Sequence, residues 1–359
     1  MKKSIASLEL AALINELQIL LRGTVSQIYH PNEKEIFIQI HANGSKYLLK
    51  IISGKFLCLT NKKETALTPT SFCMQLRKYL DHAYLKSIQQ KNGERIALLE
   101  FEKKEKFYLI IEFFSKGNII LADKDYHIIG TLEQQLWKDR IIKVKEQYKF
   151  PATGLNWKEM TEKQFSDMLS SSEKKNLATS LATELGLGGI YAEELCVLSE
   201  VNKDLPPTEV DKKSIKQLFT SFQEILKLIK KPHGYFYTEQ ITPFPLKNQQ
   251  VLKETPTYNE AIDTIRLEQK TSPYDKKIKT LEKTIESQQE SINKQENDII
   301  INTKKADLIY EKYTPILKLL EIVKDLRKTK EWKEVEIELK KEKKIKKVDL
   351  KNKKVVLDL

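Results

Sequence analysis

The segment GLGGIYAEEL, residues 186–195, contains three glycines within four residues and then changes to a helical pattern. Two kinds of structure are compatible with it: a loop whose backbone amides cradle a phosphate, or a tight turn between two helices. The segment has neither the G-x-G-x-x-G spacing of dinucleotide-binding folds nor the Gly-Lys-Ser/Thr that ends a P-loop. Nucleotide hydrolysis is therefore not expected here.

The glycine spacing matches a helix-hairpin-helix motif. Gly186 is expected to end the first helix in a left-handed conformation, while Gly188 and Gly189 expose backbone amides at the start of the second. These three glycines are candidate contacts to an RNA backbone. Glu193 and Glu194 place negative charge near the same amides, so a plain helix–helix turn stays open as the alternative.

Basic residues exceed acidic ones by 62 to 50, giving a formal net charge of +12 that favours polyanionic partners such as nucleic acid. Arg77 and Lys78 lie on the predicted helix FCMQLRKYL, where a solvated face is the alternative reading. The C-terminal lysine run is either a second contact to an RNA backbone or a mobile basic tail. Its candidate residues are Lys340, Lys341, Lys343, Lys344, Lys346 and Lys347.

No arrangement of residues typical of catalysis is found in the sequence. The five histidines have no partner at metal-ligand spacing, and no serine lies in a Gly-x-Ser-x-Gly turn. Cys58, Cys73 and Cys196 are far apart in apolar surroundings, which is typical of buried free thiols. We therefore expect a protein that is not an enzyme and holds no metal or cofactor.

The N-terminal part of the sequence predicts an α+β fold. An amphipathic helix over residues 4–21, with Glu9 and Glu16 off its apolar face, precedes short alternating runs that predict an antiparallel sheet. A helix at about 70–83 separates a second set of strands. Strand-rich segments interrupted by helices favour α+β over a doubly wound sheet. This first domain is predicted to span residues 1–151.

Residues 152–265 have a mostly helical pattern, with a capping box from Thr161 to Gln164 and an irregular stretch, PHGYFYTEQITPFPL. Residues 266–303 predict the first helix of a coiled coil, and 304–359 a tip region with a short helix over 305–326 and a basic hairpin. Apolar and glutamine residues form its heptad seam: Tyr274, Ile278, Leu281, Ile285, Gln288, Ile292, Gln295 and Ile299.

That seam needs a partner helix, and the short helix containing Pro315 is a poor match for it. We therefore expect a split-gene half, a truncated frame or a fragment. No run reaches the roughly 18 apolar residues of a membrane span. Glu9, Asn15 and Glu16 interrupt the first apolar run, unlike a signal peptide. The expected location is cytoplasmic.

Five segments, in this order, resemble the NFACT family, the RqcH-type ribosome quality-control factors formerly called fibronectin-binding protein A. They are LELAALINELQILLRGTVSQIYHP, FCMQLRKYL, NGERIALLEF, IIEFFSKGNIILAD and GLGGIYAEEL. The resemblance covers essentially the whole chain, and KADLIYEKYTPILKLL is most similar to archaeal members.

The resemblance implies a MutM-like N-terminal β-rich domain, a helix-hairpin-helix domain and a coiled-coil arm. The family's C-terminal RNA-binding domain is not recognisable, so a separately encoded C-terminal half is an expected partner. Full-length family members bind tRNA and the large ribosomal subunit obstructed by peptidyl-tRNA, and they promote untemplated extension of the stalled chain. The resemblance thus implies tRNA, rRNA and the ribosome as partners.

The family's Asp-Arg pair, which is linked to tRNA binding, falls on Glu94 and Arg95. Glutamate at position 94 keeps the charge but is one methylene longer than aspartate, so the transfer is firmer for Arg95. The glutamate of the family's second tRNA-linked motif falls on Glu112. Arg77 and Lys78 are the neighbouring basic residues expected at the same tRNA surface.

DNA base excision and a coiled-coil scaffold are the two other functions that bear on this sequence. MutM-type base excision uses an N-terminal proline amine and a cysteine zinc finger, whereas this chain begins Met1-Lys2-Lys3 and lacks four clustered cysteines. A coiled-coil scaffold without a tRNA role remains the alternative. That scaffold would show no salt-dependent binding to RNA.

Overall fold

A computed structural model of the chain describes residues 4–62, 68–137, 140–151, 154–265, 273–339, 345–349 and 354–357. Internal contacts divide the chain into two compact units, Met1–Arg266 and Leu267–Leu359. The predicted boundary at residue 151 lies within the first unit and stays a prediction.

The first unit begins with helix α1 and continues into a large antiparallel sheet, which has nine strands among the described residues. The elements are α1 (Ser7–Leu17), β1 (Thr24–Asn32), β2 (Glu35–Ala42), β3 (Ser45–Ile52), β4 (Phe56–Leu59), α2 (Ser71–Leu80), β5 (Tyr84–Gln90), β6 (Ile96–Glu102), β7 (Lys106–Glu112), β8 (Asn118–Asp123) and β9 (Ile128–Thr131). Two meanders, β4-β3-β2-β1 and β5-β6-β7-β8-β9, meet where Thr24 pairs with Tyr84. The predicted antiparallel sheet and the mixed α and β content are confirmed.

A small hairpin and a mostly helical segment complete this unit. The elements are β10 (Gln135–Leu136), β11 (Ile141–Ile142), α3 (Glu162–Ser170), α4 (Leu177–Thr183), α5 (Gly189–Ser199), α6 (Lys212–Leu228), β12 (Gly234–Phe236), β13 (Ile241–Thr242), β14 (Lys253–Thr255) and α7 (Tyr258–Asp263). The predicted capping box at Thr161 and Gln164 opens α3. The stretch predicted as irregular contributes β12 and β13 to a three-stranded sheet, whose strands are too short to show an alternating pattern.

Helix α1 is buried along most of its length and contacts β4, β5 and α7. The prediction that Glu9 lies off its apolar face is wrong, because this residue is 1 % exposed. The Glu9 carboxylate accepts hydrogen bonds from the backbone amide of Ala6 at 2.7 Å and from the hydroxyl of Tyr191. A buried carboxylate is tolerated when such donors replace water. Glu9 therefore joins α1 to α5.

The three cysteines, Cys58, Cys73 and Cys196, are buried and free, as predicted. None of the described helices is both long enough and apolar enough to span a membrane.

The second unit contains a long helix, two shorter helices and a hairpin. They are α8 (Pro273–Glu311), α9 (Tyr313–Thr329), α10 (Trp332–Leu339), β15 (Ile345–Asp349) and β16 (Lys354–Leu357), of which the last two pair antiparallel. The predicted hairpin is confirmed. The predicted helix end at 303 and the start at 305 are wrong, since α8 continues to Glu311. Pro315 explains the break, because its ring conflicts with the carbonyl of residue 311 and is accepted in the first turn of α9.

The predicted heptad seam of α8 faces solvent where its side chains are described. Leu281, Ile285, Ile292 and Ile299 are between 47 % and 64 % exposed. Apolar residues at this spacing normally pack against a second helix. The assignment of α8 to a coiled coil stays a prediction.

Two turns of the first unit touch through glycines. Gly54 lies between β3 and β4, and Gly117 lies between β7 and β8; both have positive φ, 71° and 72°. A Cβ added to Gly117 would lie 1.9 Å from the backbone nitrogen of Gly54. That nitrogen also donates to the carbonyl of Glu112 at 3.2 Å. The paired turns therefore hold the end of β7 in place.

We expect Gly117→Ala to lower the free energy of unfolding by about 3 kcal/mol or more, because the methyl group forces the two turns apart. Gly44→Ala is the matched control, since Gly44 has a φ of +74° but open space around it. For Gly44→Ala the free energy of unfolding is expected to fall by about 1 kcal/mol, because only the positive φ is unfavourable for alanine. Urea unfolding measures both values. Equal losses would contradict the backbone contact.

Candidate nucleic-acid interface

Arg95 lies at the end of the turn between β5 and β6. Asn92 and Gly93 both have positive φ, 46° and 73°, a conformation that the pair Asn-Gly favours in tight hairpins. The amide of Glu94 closes the turn by donating to the carbonyl of Lys91 at 2.7 Å. Arg95 is half-buried directly before β6. The turn thus fixes the backbone that carries the predicted Glu-Arg pair.

Gly93 anchors this turn against α1 and the buried Trp157. The Gly93 carbonyl accepts hydrogen bonds from Trp157 Nε1 at 2.9 Å and from the Ser7 hydroxyl. A Cβ on Gly93 would lie 2.5 Å from Trp157 Nε1. The side-chain amide of Gln90 also donates to the carbonyls of Ser7 and Glu94, both at 2.9 Å. Glycine is needed here both for its φ and for this close approach.

The two charged side chains of the pair have different environments. Glu94 Oε1 accepts a hydrogen bond from the backbone amide of Gly154 at 3.1 Å. Within the described part of the chain, the guanidinium of Arg95 makes no hydrogen bond and no ion pair. Arg95 is therefore free to bind an anion, whereas Glu94 is partly engaged by the protein.

Arg95 and Glu112 are neighbours across the sheet. Ile96 pairs with Glu112 in the β6–β7 register, and the amide of Phe113 donates to the carbonyl of Arg95 at 2.9 Å. The two tRNA-linked motifs implied by the family resemblance thus lie side by side at one end of the sheet. The sequence did not predict that these two motifs lie side by side.

Glu112 is 1 % exposed and is held by two residues that the sequence did not single out. Its carboxylate accepts two hydrogen bonds from Arg140, at 2.7 and 3.2 Å, and one from the Tyr148 hydroxyl at 2.7 Å. Burial, and then the adjacent Glu112 charge, raises the pKa of Tyr148, so its hydroxyl stays protonated and donates.

The prediction that Glu112 belongs to the tRNA-binding residues stays a prediction. In this fold its carboxylate oxygens are buried and bonded to Arg140 and Tyr148, at the end of β7. A sequence signal existed: the run FYLIIEFF places one acid among apolar residues. A carboxylate in such a strand requires a buried donor or cation.

The glycine turn between α4 and α5 has the predicted backbone. Gly186 and Gly188 have φ of 73° and 83°, Leu187 is buried, and Gly189 is the first residue of α5. No side chain or backbone atom lies within 4 Å of a Cβ added to Gly186 or Gly189, for the residues described. The Gly188 amide, predicted to be exposed, instead donates to the carbonyl of Ala182 at 3.1 Å, whereas Gly189 and Ile190 at the start of α5 are exposed residues. Whether α4 and α5 form a helix-hairpin-helix stays a prediction.

The two acids after this turn are occupied by protein groups. Glu193 pairs with Lys203 at 3.1 Å, and the buried Glu194 accepts from the Lys247 amide at 2.7 Å. Tyr191, between them and the turn, donates to Glu9, and burial raises the pKa of Tyr191. The electrostatic objection to a phosphate at the α5 start is correspondingly weaker than the sequence indicated.

One cleft of about 460 Å³ joins these features. Its walls are the N-terminal segment Ser4–Ser7, the turn Gly93–Arg95, Trp157 and the chain around the glycine turn, including Gly186 and Gly188. Gly186 follows Arg95 by 91 positions in the sequence. The Glu-Arg pair and the glycine turn therefore line a single cleft, although the sequence predicted two separate sites.

Other candidate residues lie outside this cleft. Arg77 donates from Nε and Nη2 to the carbonyl of Ile28, at 2.9 and 2.7 Å, so its guanidinium holds β1. Lys78 is exposed on α2 and does not line the cleft. Of the C-terminal lysines, Lys346 is exposed and Lys347 belongs to β15. Lys340, Lys341, Lys343 and Lys344 lie outside the described residues.

Asp123, Asp125 and His127 form the one group of potential metal ligands among the described residues, with ligand atoms within 4.8 Å of one another. Asp123 Oδ1 already accepts from the amides of Asp125 and His127, both at 2.9 Å. These contacts account for the cluster as a turn, and it carries no metal assignment.

The sequence matches a family model described as NFACT N-terminal and middle domains, over residues 7–356. The chain belongs to the NFACT family. Among curated relatives, the archaeal Rqc2 homolog aRqcH of Methanocaldococcus jannaschii is 30 % identical over 366 aligned residues, 92 % of this chain and 54 % of that protein. Ribosome quality control complex subunit 2 of Saccharomyces cerevisiae is 34 % identical over 134 residues, 36 % of this chain and 13 % of that protein. This chain therefore spans about half the length of the archaeal relative.

Two solved structures share the fold. The N-terminal part of the fibronectin/fibrinogen-binding protein from Streptococcus suis has a TM-score of 0.61 at 23 % identity, covering 72 % of this chain and 98 % of that one. The fibrinogen binding protein from Staphylococcus aureus has a TM-score of 0.60 at 20 % identity, covering 72 % and 97 %. The expected relation to MutM-type glycosylases stays a prediction.

We expect Arg140→Ala to lower the free energy of unfolding by about 3–5 kcal/mol, because it leaves the Glu112 carboxylate buried without a cation. Tyr148→Phe removes one neutral donor and should cost only about 1–2 kcal/mol. Adding Glu112→Gln to Arg140→Ala should recover most of the loss. Urea unfolding of the four proteins checks this order. An Arg140→Ala variant as stable as wild type would contradict a structural ion pair.

Proposed function

We propose that this chain is the tRNA- and ribosome-binding part of a cytoplasmic ribosome quality-control factor. In this role it binds the obstructed large ribosomal subunit through rRNA, holds tRNA, and supports untemplated C-terminal tailing of stalled chains. The names of the archaeal and yeast relatives support the ribosome quality-control role. The chain contributes binding and positioning rather than a catalytic group.

The observation that carries the tRNA part is the free guanidinium of Arg95 at the cleft. Arginine binds phosphate oxygens through two parallel N–H donors, and it also stacks on bases. Gly188, the residue that precedes α5, lines the same cleft, and the start of a helix carries the positive end of its dipole. A free cation and a residue next to a helix start in one cleft fit the binding of an RNA strand.

Glu112 and Arg140 serve this proposal indirectly. Their buried ion pair fixes the end of β7, and Phe113, the residue after β7, donates its backbone amide to the carbonyl of Arg95. A substitution at Glu112 is therefore expected to reduce tRNA binding through the position of Arg95.

The alternative function is a coiled-coil scaffold without tRNA binding. The exposed apolar residues of α8, such as Leu281 and Ile285, favour a partner helix and are compatible with both functions. The salt dependence of RNA binding distinguishes the two functions, since a protein that neutralises phosphates loses affinity for RNA as the salt concentration rises.

We expect Arg95→Glu to abolish co-purification of tRNA at physiological salt while the fold stays intact, because it replaces the free cation of the cleft by an anion. Lys124→Glu is the matched control: it makes the same charge change beyond the far end of β7, roughly 20 Å away for a seven-residue strand. Labelled tRNA titrations and melting curves give affinity and fold. Unchanged tRNA recovery for Arg95→Glu would overturn the role of this residue.

A pair of substitutions at Gly189 tests the α5 start. Gly189→Asp adds a negative charge in the first turn, where it stabilises the helix but repels a phosphate. Gly189→Ala enters open space and adds no charge. We expect the aspartate variant to bind tRNA about tenfold more weakly than the alanine variant at equal or higher stability. Equal affinities would show that these amides do not contact RNA.

A further inference from the structure

The outer face of helix α6 carries a row of lysines. Its inner face packs on α3 and α5 through apolar residues at helical spacing, among them Leu218, Phe222 and Ile225. Six exposed lysines form what we name the lysine face, on the opposite side of α6 and in the turn that follows it: Lys212, Lys213, Lys216, Lys227, Lys230 and Lys231. Glu224 is the one acidic residue of α6. This face therefore has a clear excess of positive charge.

The lysine face is unpaired and is unfavourable for the helix that carries it. None of its six lysines forms an ion pair or a side-chain hydrogen bond with another described residue. Lys212 and Lys213 lie in the first turn of α6, where the helix dipole disfavours a cation. Lys216 follows them at four and three positions, so like charges are neighbours on the helix surface. An anion bound to this face would relieve both effects.

A groove of about 380 Å³ lies beside the lysine face, between α6 and the end of α5. Lys213 and Lys216 line it from α6, and residues 198–200 line it from the end of α5. The Glu200 carboxylate among them is 3.7 Å from Nζ of Lys247, which lies outside the groove lining. The acid of the groove is therefore paired, whereas its two lysines are available to an anionic ligand.

This groove and the Arg95 cleft lie at opposite ends of α5. Gly188, directly before α5, lines the cleft, whereas Leu198 and Ser199 at the end of α5 line the groove. The length of an eleven-residue helix makes this separation roughly 16 Å. Among the described residues, none lines both. The first unit thus has two separate surfaces suited to an anion.

The lysine face fits the backbone of double-helical RNA. From Lys213 to Lys227 it extends about 21 Å, at 1.5 Å per residue. The exposed residues of α6, all of which the structure describes, include no aromatic ring on which an unpaired base could stack. Double-helical RNA keeps its bases stacked inside and is recognised mostly through its shape, phosphates and 2′-hydroxyls. A row of ammonium groups binds such phosphates independently of sequence.

We propose that the lysine face of α6 binds the backbone of a double-helical segment of rRNA. The inference rests on the proposed ribosome-binding function and assigns its rRNA contact to a defined surface. A factor that holds tRNA on a ribosomal subunit needs two RNA-binding surfaces that are occupied together. The Arg95 cleft then holds tRNA, and the lysine face, at the other end of α5, contacts the subunit.

The double variant Lys213→Gln/Lys216→Gln tests this assignment in the full chain. Glutamine keeps the helix propensity and removes the repulsion in the first turns, so the melting temperature should be equal or higher. We expect affinity for a labelled RNA duplex of about 20 base pairs, and for purified large ribosomal subunits, to fall about tenfold at physiological salt. The slope of log affinity against log salt should fall by about two, because two phosphate contacts are lost. Affinity for tRNA should stay within about twofold.

Three further variants serve as controls. Lys104→Gln/Lys124→Gln makes the same change in net charge at two exposed lysines, in the turns after β6 and β8, and should leave duplex binding unchanged. Glu224→Gln removes the one acid of α6 and should strengthen duplex binding about threefold. Arg95→Glu should show the converse of the α6 lysine variant, losing tRNA while it keeps the duplex.

The outcomes separate this inference from the function on which it rests. Unchanged binding of duplex and subunits by Lys213→Gln/Lys216→Gln would overturn it, and so would an equal loss in the Lys104→Gln/Lys124→Gln control. A loss of tRNA affinity as large as the loss of duplex affinity would assign the lysine face to tRNA and overturn the rRNA contact. If Arg95→Glu leaves tRNA recovery unchanged while the α6 variant still weakens duplex and subunit binding, the proposed tRNA role fails and the lysine face stands.

Discussion

The buried carboxylate of Glu112 is the constraint on which the candidate interface depends. A charge removed from water costs several kcal/mol unless its partners are complete. Here both oxygens are satisfied: Arg140 donates to each and Tyr148 to one. The requirement extends outward, because Arg140 belongs to the β10–β11 hairpin and Tyr148 to the segment after it. One acid thus holds two later parts of the chain, at Arg140 and at Tyr148, against the end of β7.

The same end of β7 is fixed from the other side by backbone alone. Gly54 and Gly117 approach so closely that neither position has room for a Cβ, and the Gly54 amide bonds to the Glu112 carbonyl. The Arg95 backbone is bonded in turn to Phe113, the next residue. A flexible loop would place Arg95 variably. The hydrogen bond to Phe113 holds the Arg95 backbone against the sheet. Less conformational entropy is therefore lost when Arg95 binds a ligand.

The sequence predicted what depends on local pattern. Alternation gave the antiparallel sheet, the glycine spacing gave the left-handed Gly186, and the capping box at Thr161 was visible directly. It failed where the decisive neighbour is distant in the chain. Glu9 is an acidic residue and was expected on the polar face, but it is buried, and hydrogen-bond donors that include Tyr191 replace water around its carboxylate. No local pattern could show that Arg95 and Gly186 line one cleft, because the two residues lie 91 positions apart in the sequence.

Arg95 and Arg140 show why residue type alone does not assign a binding site. Both carry the same planar cation, and both lie close to Glu112. Arg140 donates hydrogen bonds to the buried carboxylate of Glu112, and its guanidinium lies over the Trp137 indole. The Arg95 guanidinium, in contrast, has no partner among the described residues. Since guanidinium stays charged at any relevant pH, only the free one offers an unsatisfied cation to a ligand. Arg140 therefore stabilises the end of β7, and Arg95 is the arginine that we propose to bind phosphate.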